Sequence, residues 1–361
     1  MVKLNRWLYG KKLSSVLGIV LAIALVLAGC GNSSKSPKEE MLGALQTFAE
    51  TESYAFDINT KVGISVSESM LSVDPSLQML GSMFDNLDIH VSGVYQKEPF
   101  QMETTMDLAL KGDLSMNFAI PLVMTDEKMW IKVPNIPMFP LPEDVVGKYV
   151  ELDYQELAEM SEEDFQPDAL FSGQYVDFSM KAYEMILNHF DEELYFTFIP
   201  KDEAELPEEI DAAKIIRFQL NDEHLEDFIT VLAENIIPDF IELLDDPEYR
   251  DMFGFASEDL QQLKDDYEVT PEEIQETIDE IREALQINEI SYTVALDKKQ
   301  NMPYQLFKMD VNFKDGEDSM QFVIQMETFV KNINEEPTFE IGIPAEEEII
   351  TPDELSQAFM F

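Results

Sequence analysis

The chain has 361 residues, of which 24 are lysine or arginine and 73 are aspartate or glutamate, so its formal net charge at pH 7 is −49. This charge excludes a nucleic-acid-binding protein that works by neutralising phosphates, and a hydrophobic content of 45% excludes a wholly disordered chain. A single cysteine excludes an intrachain disulfide framework and a cysteine-clustered zinc or iron–sulfur site.

The first thirty residues have the pattern of a secretory signal. Several cations precede an apolar run over 16–28, and the first acidic residue of the chain is Glu39. The run has 13 residues. It is therefore shorter than the roughly 20 residues that a membrane-spanning helix needs, and it fits the apolar region of a signal peptide.

The end of this run resembles the lipobox of bacterial lipoproteins. Leu27, Ala28 and Gly29 precede Cys30. The resemblance implies a signal peptide over 1–29 that is cleaved just before Cys30, whose thiol carries a diacylglyceryl anchor. Each buried methylene contributes about 0.8 kcal/mol to such anchorage. We therefore predict a lipid-anchored protein on the extracytoplasmic face of the cell membrane; the alternative is a buried, unmodified cysteine at the end of an ordinary helix.

Three segments follow the predicted signal peptide. Residues 30–36 are polar and form a flexible tether, 37–343 form the folded body, and 344–361 form an acidic tail with a short helix. Within the body, the section over about 150–285 is mainly helical. The folded body is therefore predicted to combine helices and strands in one α+β unit.

Apolar periodicity and capping residues predict the elements of the body in chain order. Pro238 is expected to end or kink the helix that contains it. The predicted elements are a helix over 37–50, a strand over 56–66, antiparallel strands within 87–133, helices within 150–190, strands over 193–199 and 214–220, helices over 222–237 and 270–285, and a three-stranded meander over 290–326.

The C-terminal meander is similar to an earlier part of the chain. Residues 89–118 and 290–322 both contain a strand, a lysine-containing turn, a proline, a second strand and a polar turn. They then reach Ser-Met-Asn-Phe and Ser-Met-Gln-Phe, respectively. The similarity is compatible with an internal duplication and with two unrelated amphipathic hairpins.

Sequence motifs for catalysis and for metal binding are missing. His90, His189 and His224 are far apart, and the sequence contains no HExxH, GxSxG, GxGxxG or P-loop pattern. Calcium needs six to eight converging oxygens, so the acidic runs are interpreted as solvated surface. We predict no catalytic residue, no cofactor and no metal site. A hydrolase that uses two carboxylates would require two acids that converge in a pocket.

Twenty methionines occur in the chain, many of them at apolar strand positions. Thioether side chains are flexible and fit ligands of variable shape. One interpretation is an apolar sheet face that accepts acyl chains, and the other is ordinary core filling beneath helices. The predicted ligand-binding residues are Met102, Met106, Phe307, Met309, Val311, Phe313, Phe322 and Ile324.

The arrangement of the chain resembles the LolA/LppX-like lipoproteins, in particular their uncharacterised relatives from Gram-positive bacteria. The resemblance consists of the lipobox, the short capped helix, the strand that starts near Ser53, and the meander with its Asp-Lys-Lys turn at 297–299 and Pro303. It implies a large curved antiparallel β-sheet, an open half-barrel, with helices packed on its concave side and acyl chains held there. Two related meander halves would build this sheet. The helical section over 150–285 departs from the family's pattern.

These features predict a membrane-anchored extracytoplasmic lipoprotein that is not an enzyme. We expect it to contact membrane lipid through acylated Cys30, to bind a hydrophobic ligand such as a lipid in a curved-sheet cavity, and to bind no nucleic acid. The alternative is a surface lipoprotein for protein interaction or sensing, with a filled core and no ligand.

Overall fold

The computed structural model describes residues 35–73, 76–78, 81, 87–111, 116–135, 141–160, 173–267 and 269–358. The predictions of a signal peptide and of a lipobox at Leu27, Ala28, Gly29 and Cys30 lie outside these ranges. Within them, no helix combines the length and the apolar character that a membrane crossing requires.

One open, mostly antiparallel sheet contains the twelve strands of the described residues. Its spatial order is β12-β6-β5-β4-β3-β2-β1-β11-β10-β9-β8-β7, and the pairing of β12 with β6 is parallel. The strands are β1 (Ser53–Val66), β2 (Leu87–Gln96), β3 (Gln101–Leu110), β4 (Met116–Thr125), β5 (Lys128–Lys132), β6 (Tyr149–Asp153), β7 (Phe196–Phe198), β8 (Lys214–Leu220), β9 (Leu285–Leu296), β10 (Tyr304–Asp315), β11 (Asp318–Lys331) and β12 (Ile349–Ile350).

Eleven α-helices complete the described part of the α+β fold. A π-helical turn over Leu232–Ile236 joins the sixth helix to the seventh. The helices are α1 (Pro37–Ala49), α2 (Glu68–Val73), α3 (Tyr154–Met160), α4 (Gly173–His189), α5 (Glu192–Tyr195), α6 (Leu225–Val231), α7 (Ile237–Asp245), α8 (Pro247–Phe253), α9 (Ser257–Asp266), α10 (Pro271–Ala284) and α11 (Pro352–Ala358).

Most predicted elements are confirmed. Helix α1 begins at the capping box of Ser36, α10 begins at that of Thr270, and β8 has the predicted bounds. The predicted meander is β9–β11, and the similar earlier segment forms β2–β4. Strand β1 pairs with both β2 and β11, so it joins the two meanders within one sheet.

Two local predictions are wrong, and each has a physical reason. The first residues of the predicted helices within 150–190 belong to β6, because β5 and β12 pair with this strand on its two sides. The predicted strand over 193–199 starts as α5, because the carboxylate of Asp191 accepts hydrogen bonds from the first backbone N–H groups. At Pro238 the helical run is interrupted but does not end, because the α-helical hydrogen bonding of α6 gives way to the π-helical turn over Leu232–Ile236 and α7 follows with Pro238 in its first turn.

The main hydrophobic core lies between the helices and one half of the sheet. It contains Leu45 of α1, Leu187 of α4, Phe228 of α6 and Ile278 of α10, together with side chains of β8, β9 and β10 such as Val294. The helices therefore cover one side of the sheet from β8 to β10. The other half of that side carries the candidate site.

Candidate functional site

Strands β1 to β3 have one apolar side and one mainly polar side, and the apolar side continues across β4. Side chains alternate along a strand, so residues that pair directly across strands lie on the same side of the sheet. We call the apolar side the β1–β4 apolar face. Its rows are Ile58–Val91–Met106–Ile120, Thr60–Ile89–Leu108–Phe118, Phe56–Gly93–Thr104–Leu122 and Tyr54–Tyr95–Met102–Met124.

The β1–β4 apolar face is more exposed than the rest of the same side. None of the side chains that β2, β3 and β4 contribute to it is buried, and Met106 is 39% exposed. The same side continues through β11 to β10, where Met309 pairs with Ile324 and is only 5% exposed. Contiguous exposed apolar surface is one of the features that mark ligand-binding grooves and interaction sites.

The predicted ligand-binding residues lie in both halves of the sheet. Met102 and Met106 belong to the β1–β4 apolar face. Phe307, Met309 and Val311 are buried in the main core beneath the helices. Phe313, Phe322 and Ile324 pack partly buried against that core. Of these eight residues Met106 is the most exposed, and the half-buried part of the surface extends from β11 across β1 to β4. The candidate site is the β1–β4 part of this surface.

The sequence prediction missed most of the residues that form this face. Val91 and Ile89 of β2, and Phe118, Ile120 and Leu122 of β4, were assigned to strands without a role in binding. The alternation of apolar residues was the available signal for these positions. The sequence could not show which alternating strands the described helices leave uncovered.

Aromatic side chains form one end of the β1–β4 apolar face. The ring of Tyr54 stacks on that of Tyr95, with 4.9 Å between the centroids, and Phe48 and Phe100 flank this pair. Burial raises the pKa of the Tyr54 and Tyr95 phenols above the ordinary value, so both rings stay neutral at physiological pH. This end therefore offers aromatic surface without charge.

Beside this aromatic end, Gly93 lets a neighbouring ring approach the backbone. A Cβ atom at Gly93 would lie 2.5 Å from Cζ of Phe56 and would also clash with the carbonyl oxygen of Glu103. Thr104, which pairs with Gly93, has a buried hydroxyl without a hydrogen-bond partner in the described part of the chain. Glycine is therefore needed here for the close packing of Phe56.

The opposite side of β1–β3 is mainly polar, and its side chains form ion pairs and hydrogen bonds. Lys331 contacts Asp57 at 2.8 Å, and Nδ1 of His90 lies 3.0 Å from Oδ1 of Asn59. Glu103 is 4% exposed and accepts hydrogen bonds from three consecutive backbone N–H groups at 340–342. These contacts fix the C-terminal segment to the polar side, so the two sides of the sheet have different surroundings.

The histidines do not come together in the structure. His90 lies on the polar side of β2, whereas His189 at the end of α4 contacts Asp239 at 2.7 Å. Nδ1 of His224 is buried without a partner among the described residues. In the same ranges, no group of three or more histidine, cysteine, aspartate or glutamate residues is placed to hold a metal ion.

Comparisons with known proteins give no match. No protein-family model matches the chain, and no curated protein or solved structure is significantly similar to it. The resemblance to the LolA/LppX-like lipoproteins therefore stays a prediction from the sequence. The function has to be argued from the β1–β4 apolar face itself.

Proposed function

We propose that this protein is a non-enzymatic, lipid-anchored lipoprotein of the extracytoplasmic membrane face, and that its β1–β4 apolar face binds a hydrophobic ligand. The ligand class is an acyl lipid. One observation supports the proposal: helices bury the apolar side of the sheet at β8–β10, and the same side remains half-exposed at β2–β4. In this proposal the sheet is the open half-barrel that the resemblance implies, and the ligand occupies the part that the described helices leave uncovered.

The dimensions of the face suit an acyl chain. Strands β2, β3 and β4 have 10 residues each, so each is about 33 Å long, and four neighbouring strands span about 14 Å. An acyl chain crosses one leaflet, about 15 Å, and therefore fits along these strands. At about 0.8 kcal/mol per methylene, burial of roughly ten methylenes contributes about 8 kcal/mol. This exceeds the lower estimates of about 4 kcal/mol for the entropic cost of association.

The net charge of the chain affects which lipid headgroups the protein is expected to favour. With a net charge of −49, the protein repels anionic lipids at long range. The apolar rows of the face contain no charged side chain that would pair with a headgroup. We therefore expect neutral and zwitterionic lipids to bind more tightly than anionic lipids with the same chains.

Two substitutions at matched positions test the location of the site. Met106 lies on the β1–β4 apolar face and Val323 of β11 lies on the opposite side, yet both are 39% exposed. Delipidated protein is mixed with phosphatidylcholine and examined by native mass spectrometry. We expect Met106→Glu to reduce the lipid-bound fraction and Val323→Glu to leave it unchanged. Equal effects of the two substitutions would place the lipid elsewhere, and bare protein across several lipid classes would refute lipid binding.

The predicted anchor has a separate test. Metabolic labelling with an acyl precursor should modify the chain and bring it into the membrane fraction, and Cys30→Ser should abolish both results. An acylated Cys30→Ser protein would contradict the assignment of the anchor. Because binding on the sheet uses other residues, failure of one test leaves the other intact.

The filled core beneath the helices favours a second candidate, a lipoprotein for protein interaction. Phe307, Met309 and Val311 are already buried there by the protein's own side chains. In that case the β1–β4 apolar face receives a protein surface instead of a lipid. Crosslinking from Met106 to a single protein partner, together with no lipid binding, would select this alternative.

A further inference from the structure

Three methionines lie side by side across three strands at one end of the β1–β4 apolar face. Met102 of β3 pairs directly with Met124 of β4, and Met124 pairs directly with Met129 of β5. None of the three residues is fully buried. We infer that Met102, Met124 and Met129 form a three-thioether site for a soft monovalent metal ion, with Cu⁺ as the natural ligand.

The register places the three thioethers within reach of one ion. Directly paired residues have Cβ atoms about 4.5–5.5 Å apart. A methionine side chain has three rotatable bonds, so Met102 and Met129 can lean from both sides toward Met124, which lies between them. The pleat puts all three on the same side of the sheet. Convergence on one ion therefore requires rotamer changes and no movement of the backbone.

The thioether donors of the row Met102–Met124–Met129 favour a soft ion. Thioether sulfur is a soft ligand that favours Cu⁺, whereas Mg²⁺ and Ca²⁺ require oxygen ligands. Tyr95 and Leu152 continue the same row at its two ends, and neither supplies a carboxylate. The large negative charge of the chain attracts cations at long range. The site therefore combines attraction for a cation with donor atoms that discriminate against hard ions.

The other methionines in the described strands lack this arrangement. Met116 lies on the same face of β4, but it pairs with Leu110. Met106 is on the same strand as Met102, with Thr104 between them on the same side. Met309 is buried in the main core. Met116 therefore provides a control that matches Met124 in residue type, strand and side of the sheet.

The test uses Ag⁺, a soft monovalent ion that does not change its oxidation state under these conditions. Full-length protein with Cys30→Ser, which removes the single thiol, is kept in detergent without chloride. Methionine methyl groups are labelled with ¹³C and followed by NMR during the titration. We expect one Ag⁺ per chain and shifts of the Met102, Met124 and Met129 methyl signals, with the Met116 signal unchanged. Native mass spectrometry gives the number of ions bound.

Substitutions to leucine keep the side-chain volume and disturb folding little. Met124→Leu should weaken Ag⁺ binding by roughly tenfold or more, as expected when a metal site loses one of its ligands. Met116→Leu should leave the affinity unchanged. No bound ion, equal effects of the two substitutions, or shifts confined to methionines outside the row would each overturn the inference. Lipid binding can fail without affecting any of these results.

Discussion

Glu103 provides the most specific prediction about the fold. Its carboxylate is 4% exposed, and it accepts hydrogen bonds from the backbone N–H groups of Glu340, Ile341 and Gly342 at 2.9, 2.8 and 2.5 Å. In Glu103→Gln, the amide oxygen can replace the carboxylate oxygen that accepts two of these bonds. The amide NH₂ group then faces the N–H of Gly342, so that hydrogen bond is lost.

The size of the effect follows from these contacts. A hydrogen bond to a charged group contributes about 1.5–3 kcal/mol, and a neutral one contributes about 0.5–1.5 kcal/mol. One lost bond and two weakened bonds therefore destabilise the C-terminal segment by about 4 kcal/mol. At 1.4 kcal/mol per factor of ten, local opening becomes roughly a thousandfold more frequent. The amides of residues 340–342 should exchange with solvent faster by the same factor.

Hydrogen exchange measured by NMR or by mass spectrometry of peptides checks this prediction. Ile341 and Ile349 pack against Val123, Trp130 and Tyr149, so protection should also fall around these residues. The control is Asp107→Asn, which replaces an acid on the same strand and the same side of the sheet. A surface substitution of this kind changes the free energy of unfolding by at most about 0.5 kcal/mol. Unchanged exchange at 340–342 in Glu103→Gln, or an equal change in the control, would refute the reasoning.

Three further predictions concern stability. Gly93→Ala should destabilise the protein by about 1–3 kcal/mol in urea unfolding, because the new methyl group overlaps both the ring of Phe56 and the backbone carbonyl of Glu103; an unchanged free energy of unfolding would contradict this tight packing. Lys214→Met should lower the free energy of unfolding by about 3–5 kcal/mol in the same assay, because the fully buried Glu40 loses the ammonium group 2.6 Å away. An unchanged free energy of unfolding would contradict this ion pair. Burial raises the pKa of Tyr267 to about 12. The contribution of Tyr267 to stability is therefore complete below pH 10, the pKa of tyrosine in the unfolded chain being about 10, and it is lost as the pH rises through about 12. Tyr267→Phe should weaken the pH dependence of the free energy of unfolding in that window.

Local signals made several elements predictable from the sequence. The capping boxes at Ser36 and Thr270 satisfy backbone N–H groups of their own helices, so the starts of α1 and α10 follow from neighbouring residues. Strand β6 has only five residues and depends on its pairing with β5 and β12, which are distant in sequence. Its helical assignment was wrong because tertiary pairing overrides weak local preference.

The candidate site was predictable only in part for a similar reason. Met102 and Met309 both lie on the apolar side of alternating strands, and both were predicted to bind ligand. The helices bury Met309 and leave Met102 half-exposed, and this difference depends on contacts between distant parts of the chain. Alternation identifies the apolar side of a strand, whereas it cannot tell whether a helix covers that side.

The most direct test of the proposed function is to identify the residues that touch a bound acyl chain. A phosphatidylcholine with a photoactivatable diazirine in its acyl chain is bound to the delipidated protein, irradiated, and mapped by peptide mass spectrometry. The proposal predicts adducts within 87–110 and 116–125, and their loss in Met106→Glu. Adducts confined to the helices, or to the polar side of the sheet, would contradict a lipid site on β1–β4.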